Sequence, residues 1–170
     1  MPYIAGYLAF REAPALLDLL TRLKETKPEL YPQIAFVDGN GTLHPRRFGL
    51  ACHFGVLADI PCIGVAKNFL EIPTESLTIK DTKQVSREHL HGAGAWLPIV
   101  GKMTHDLLGA ALRASSESVN PVFVSPGHRV SLATSVALAA ACCKYRVPEP
   151  VRAADSASRQ LVREITARSQ

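Results

Sequence analysis

Three short, unbroken apolar runs constrain this chain most: Ile34-Ala35-Phe36-Val37, Cys62-Ile63-Gly64-Val65-Ala66 and Val122-Phe123-Val124-Ser125. A strand with one wet face alternates apolar and polar residues, whereas a strand covered on both faces does not. The runs therefore predict strands of a sheet with helices packed on it. The segments between them carry the helices. After Pro14, Leu16, Leu20 and Leu23 recur at i, i+4 and i+7, and Pro28 and Pro32 close that helix. Residues 48–58 follow a helical period, Ser131 is placed to cap a helix over 132–145, and a mostly polar helix follows over 151–167. Residues 3–10 (YIAGYLAF) predict a strand with Glu12 at its end, 96–100 and 107–112 predict a strand pair, and the polar stretch 71–91 predicts an irregular surface excursion. With no repeat and no linker, residues 1–170 form a single α/β domain.

Composition removes several classes. At 47% hydrophobic and 20% charged residues the chain is not of the disordered type. Its longest apolar stretch, Val136 to Cys143, is far short of the roughly 18 residues of a membrane span. Four cysteines without C-x-x-C spacing, and an N-terminus without a basic or apolar leader, lead us to expect reduced thiols in a cytoplasmic protein with no membrane partner. A net charge of +4 permits a polyanionic partner without demanding one, and 6% aromatic residues argue against a broad base-stacking platform.

In open α/β sheets, ligands bind beyond the carboxyl ends of strands. Asp38, Lys67 and His128 follow the three apolar runs and are expected to converge there, with Glu12 joining from the first segment. Two carboxylates with a lysine and a histidine suit metal-assisted phosphodiester cleavage. Hard oxygens hold Mg2+, lysine neutralises developing charge and histidine moves a proton. Plainer roles compete. Asp38 before Gly39-Asn40-Gly41 also suits a turn, Glu12 also complements a helix N-terminus, and Lys67 also suits a solvated loop. Arg46 and Arg47 after His44-Pro45 suit either a phosphate contact or a solvated turn, His53 a packing role, and His89, His91 and His105 the surface.

Five blocks, in order, resemble the endonuclease V family. They are Pro-Tyr-Ile-Ala-Gly-Tyr-Leu-Ala-Phe-Arg-Glu (2–12), the stretch Val37 to Leu57 with Asp-Gly-Asn-Gly and Leu-His-Pro-Arg-Arg-Phe-Gly-Leu-Ala-Cys-His, Ile-Gly-Val-Ala-Lys (63–67), Gly-His-Arg (127–129), and Arg-Val-Pro-Glu-Pro-Val-Arg with Ala-Asp (146–155). The Ala-Cys-His and Cys-Cys details look most like animal members. The resemblance implies an RNase H-like mixed sheet flanked by helices. It also implies a Mg2+-dependent endonuclease that cuts the second phosphodiester bond 3′ to inosine, leaving 3′-hydroxyl and 5′-phosphate ends. The substrate is single-stranded RNA for animal members and deoxyinosine DNA for bacterial ones. By motif position the resemblance makes Asp38 and Glu12 the metal-binding and catalytic carboxylates, with Lys67, His128 and His44 near the scissile phosphate. It makes Tyr3 the wedge, and Gly6, Leu8, Gly39, Gly41, Gly49 and Leu50 the pocket for the flipped hypoxanthine. A monomer is expected, in the cytoplasm, nucleus or nucleolus.

Family members carry a first strand with a further aspartate upstream of the Pro-Tyr-Ile motif, which here begins at residue 2. The domain is thus expected to be N-terminally incomplete, without its first strands, with weakened metal affinity and unpaired strand edges. Ala5 stands where many members have proline. Two activities follow as alternatives: a nuclease impaired by the missing strand, or a protein that binds inosine-containing nucleic acid without cleaving it.

Overall fold

A computed structural model of the chain describes residue 4 and residues 6–168. Tyr3, the expected wedge residue, lies outside the described residues. Five strands form one mixed sheet: β1 (Ala35–Asp38), β2 (Cys62–Ala66), β3 (Trp96–Val100), β4 (Leu107–Leu112) and β5 (Val122–His128), in the order β1-β2-β5-β4-β3. β1 and β2 are parallel, with Asp38 opposite Val65, and every other pairing is antiparallel. All five residues of β2 are buried, as its unbroken apolar run requires. The helices are α1 (Leu8–Thr26), α2 (Leu50–Ala58), α3 (Ile79–His89), α4 (Leu132–Ala141) and α5 (Glu149–Arg168).

Two apolar layers cover the sheet. On one face Ile63, Val65, Val122 and Val124 pack with Leu132 and Val136 of α4 and Val151 of α5. On the other, Ala9 and Ala13 of α1 pack with Leu50, Ala51 and Phe54 of α2 over the β1–β2 half, and Phe69, Ile72 and Leu77 cover the β4–β3 half. Each fully buried Ile, Leu or Val contributes about 1.5–3 kcal/mol. Among the described residues, no helix is long and apolar enough to cross a membrane.

Two elements differ from the sequence reading. Residues 8–10 begin α1 and are not a strand, so Glu12 stands on a helix and Pro14 lies inside it. Gly6, at φ +81°, turns the chain into this helix, and Ala9 and Ala13 are four apart, so both face α2; that spacing outweighs the strand preference of the aromatic residues. The stretch 71–91 is not irregular either. It holds a 3-10 turn (Pro73–Glu75) and α3, whose N-cap Thr78 accepts the Asp81 N–H at 3.1 Å. α3 buries only Ser86, so it lacks the apolar stripe by which a helix is read. The Ser131 cap is present, accepting the Thr134 N–H at 3.1 Å, but α4 stops at Ala141, short of Tyr145.

β1 is an edge strand, and no described strand pairs with its outer side. A groove of about 660 Å³ runs along that edge between α1 and α5, with Glu12, Asp38 and Asp155 on its walls.

Candidate active site

The parallel pairing of β1 and β2 brings the ends of both strands to one edge of the sheet. Asp38 closes β1 and Lys67 follows β2; Lys67 Nζ lies 3.1 Å from Asp38 Oδ2. The same ammonium lies 3.6 Å from Asp155 Oδ2, on α5. Glu12 reaches the groove from α1. Burial pushes the Glu12 carboxyl above its ordinary range; Arg11 opposes this and the charge of Asp38 adds to it. Asp155 is held below its range chiefly by the hydrogen bond from Arg159, at 2.9 Å, with Lys67 adding to it.

Sequence reasoning gave Asp155 no role, although it ends the fifth matching block. The signal was present, but only the fold shows that α5 returns to the β1 edge. Arg146, in the same block, was also missed. Its guanidinium donates to the carbonyls of Lys67, Pro121 (3.0 Å) and Asn120 (3.2 Å), fixing the backbone from which Lys67 extends. Burial lowers the Arg146 pKa.

His128 does not join this cluster. β5 runs antiparallel to β2, so His128 pairs with Cys62, at the start of β2 rather than its end. The expected convergence fails because strand direction decides which edge a strand's end reaches. The His128 Cβ lies against Gly55 of α2, where an added Cβ would be 2.5 Å from it, and its Nε2 is 3.7 Å from Asp59 Oδ1.

Beside the carboxylates is a pocket of about 500 Å³ that brings together Gly6, Leu8, Gly39, Gly49 and Leu50. Gly41 does not line it. It packs beneath, where a Cβ would lie 2.0 Å from the Pro126 carbonyl oxygen, and its N–H donates to Ser125 Oγ at 2.9 Å. His44, expected near the phosphate, is a wall of this pocket and is buried. Its Nδ1 accepts the Arg46 N–H at 3.2 Å, which leaves Nε2 to donate to the Gly6 carbonyl at 3.1 Å. Burial first, and the Arg46 charge second, hold the His44 pKa below its usual value. Arg46 also donates to Gly6 O and stacks over Tyr7, 3.9 Å from the ring centroid. His53 packs edge-on against Phe10 with ring centroids 5.5 Å apart.

The pocket and the charged cluster share their backbone. Gly39 and Asn40 follow Asp38, Asn68 follows Lys67, and all three line the pocket. A basic side chain between carboxylates at the edge of a mixed sheet, beside a glycine-walled pocket, defines a site that can hold an anion and move a proton next to a bound ring. Comparison with known proteins makes that chemistry particular. The Endonuclease V family model matches residues 1–156. The chain is 47% identical over 163 residues to Endonuclease V of Mus musculus, covering 95% of this chain and 47% of that protein. It is 46% identical over 162 residues to that of Homo sapiens, covering 95% and 56%. The crystal structure of the catalytic domain of human Endonuclease V matches with a TM-score of 0.90 at 44% identity, covering 98% of this chain and 67% of that one. A crystal structure of Ciona intestinalis Endonuclease V in complex with a DNA containing an inosine followed by a ribo-adenosine matches with a TM-score of 0.92 at 38% identity, covering 97% and 69%. The chain therefore belongs to the endonuclease V family. It spans about half the length of the curated mouse and human relatives, 47% and 56%.

Proposed function

We propose that the protein takes the hypoxanthine of an inosine-containing single strand into the pocket and cleaves the second phosphodiester bond 3′ to it. The observation that carries this reading is the shared backbone: the turns that bear Asp38 and Lys67 also wall the pocket. The Ciona relative bound to inosine-containing DNA supports the substrate class. RNA is the proposed preferred strand, on the family resemblance to animal members. Flipping a base costs a few kcal/mol, which burial in the pocket offsets.

The family resemblance implies Mg2+, and the donor set fits it in a limited way. Glu12 and Asp38 are hard oxygen donors on one groove, close enough that the charge of Asp38 raises the proton affinity of Glu12. Among the described residues no three His, Cys, Asp or Glu side chains form a metal-holding group. Mg2+ is commonly held by one or two carboxylates with waters and substrate phosphate, so Glu12 and Asp38 would hold it. When bound, the ion polarises the phosphate and acidifies water. The residues supply the rest. Lys67 Nζ stabilises negative charge on the phosphate oxygens, and Asp155 and Arg146 hold Lys67 in place. Glu12, on the groove wall with Asp38, would take the proton of the attacking water through its oxygen not engaged with the ion. The water oxygen bonds to phosphorus as the bond from phosphorus to the 3′-oxygen breaks, and that oxygen takes a proton from solvent, giving 3′-hydroxyl and 5′-phosphate ends.

Two hard-oxygen ligands are the lower end of what holds Mg2+, so binding without cleavage is the second reading. One experiment separates the two: single-stranded RNA and DNA with one inosine, Mg2+, and an Asp38→Ala control. Cutting at the second bond 3′ to inosine, lost in the control, supports the nuclease. Binding without cutting by a folded chain supports the binder, and neither binding nor cutting removes both.

A further inference from the structure

A second groove, of about 250 Å³, opens beside Lys67, with Asn68, Lys83 and Asn120 on its walls. Its floor is Phe69 against Phe123, both buried, with ring centroids 5.3 Å apart. Lys83 also borders a depression of about 360 Å³ along α3 that includes Lys80, Gln84 and Arg87. Sharing Lys83, the two form one path leading away from Lys67.

The path is positively charged, and its charges are uncommitted. Lys80, Lys83 and Arg87 stand at i, i+3 and i+7 of α3, so they share one face. All three are exposed, and none makes an ion pair among the described residues. Of the acids of α3, Asp81 is held by Lys102 at 2.9 Å, although the Lys80 charge also reaches it, and Glu88 lies in the depression itself, accepting from Gln84 at 3.0 Å, so the three cations outnumber it there. The helix buries only Ser86, so packing does not explain its cations.

We infer that this path holds the sugar–phosphate backbone of the substrate strand where it leaves the cut site. The inference rests on the nuclease-site reading, and the occupant is chosen by continuity. The row of cations begins at the ammonium that faces the scissile phosphate and runs out over an apolar floor with two amide side chains. From Lys80 to Arg87 the helix rises about 10 Å, room for about two successive phosphates. Glu88 shares the depression with Arg87, which limits the phosphates it takes to those the three cations outweigh.

The test measures binding by fluorescence anisotropy in the Asp38→Ala background as salt is varied. The probes are a long single-stranded RNA with central inosine, a short one with only the nearest neighbours of inosine, and a long one without inosine. The test variant is Lys80→Ala, Lys83→Ala, Arg87→Ala. The control removes equal charge from exposed positions elsewhere, Arg22→Ala, Lys27→Ala, Arg163→Ala. Two lost phosphate contacts at about 0.7 each reduce the salt slope for the long probe by about 1.4. The short probe and the control variant should show no change. An unchanged slope with the long probe, or an equal loss in the control, overturns the path and leaves an acidic protein as the occupant to seek. If the long probes bind equally with and without inosine and the slope still falls, the path stands and the inosine reading fails. If the parent binds no probe, both fail.

Discussion

Gly64 interlocks the sheet with the site, and adding one methyl there tests that interlock. In Gly64→Ala the new Cβ would lie 2.4 Å from the Gly41 nitrogen, 2.7 Å from the Gly39 carbonyl oxygen and 2.8 Å from the Asn40 carbonyl carbon. All three are backbone atoms, so no side chain can rotate away. To restore even a 3.0 Å contact, Gly41 N must withdraw by roughly 0.6 Å. The turn is anchored against that motion by Gly39 N–H to Val65 O (3.0 Å), Gly41 N–H to Ser125 Oγ (2.9 Å) and Thr42 N–H to Pro126 O (2.8 Å). Overpacking costs about 1–3 kcal/mol, and losing the buried Gly41–Ser125 bond costs about 1–2 more. A total of about 2–5 kcal/mol lowers the Tm by roughly 4–20 °C in a domain of this size. Gly39 and Asn40 wall the pocket, so inosine affinity should fall as well, in protein still folded at low temperature. Thermal melts and probe binding on one preparation read both effects. A Gly64→Ala protein that melts within about 1 °C of the parent and binds inosine RNA equally well would refute the interlock.

Glu12→Gln is expected to stabilise the fold while removing cleavage. The folded pKa of Glu12 lies above its ordinary 4.5, so ionisation opposes folding; the penalty is absent well below pH 4.5 and complete above the folded pKa. The melting advantage of Gln should therefore appear at neutral pH and vanish in acid, and a Gln variant less stable at pH 7 would contradict the burial argument. His44 carries the opposite dependence: its pKa lies below 6.5, so the stability it contributes is present above pH 6.5 and lost as pH falls below it. An NMR titration midpoint for His44 at or above 6.5 would be incompatible with its burial and the Arg46 charge, which outweigh the opposing bond to Gly6. Lys67→Met leaves Asp38 and Asp155 without the cation between them. Single-turnover cleavage should drop by about 10²–10³ while inosine affinity changes much less, and an equal loss in both would move Lys67 from the chemistry to the pocket.

The legible part of the fold was the part whose burial is written in composition. β2 is covered on both faces at every position, and its apolar run says so. α3 buries only Ser86, so no apolar periodicity announced it. The Gly6 turn and the four-residue spacing of Ala9 and Ala13 were available for α1, but the aromatic residues of 3–10 pointed to a strand. Asp38 and Lys67 were found from strand ends, which holds for parallel neighbours. The same rule misplaced His128, because nothing local to Pro126-Gly127-His128 records that β5 runs the other way.

On the proposed function, base recognition and bond cleavage share one mechanical support in this site. Asp38, Gly39 and Asn40 are consecutive, and the Gly39 N–H is tied to Val65, the residue paired with Asp38 across the sheet. Lys67 extends from a backbone whose carbonyl Arg146 fastens to the segment entering β5. A base that fills the pocket therefore presses on the peptide units that aim the Asp38 carboxylate and, through Asn68, on those that carry Lys67. Only a base that seats without moving them leaves the Asp38–Lys67 pair in register. A substitution that loosens the pocket must then lower turnover as well as affinity, whereas one at Lys67, outside the pocket wall, lowers turnover alone.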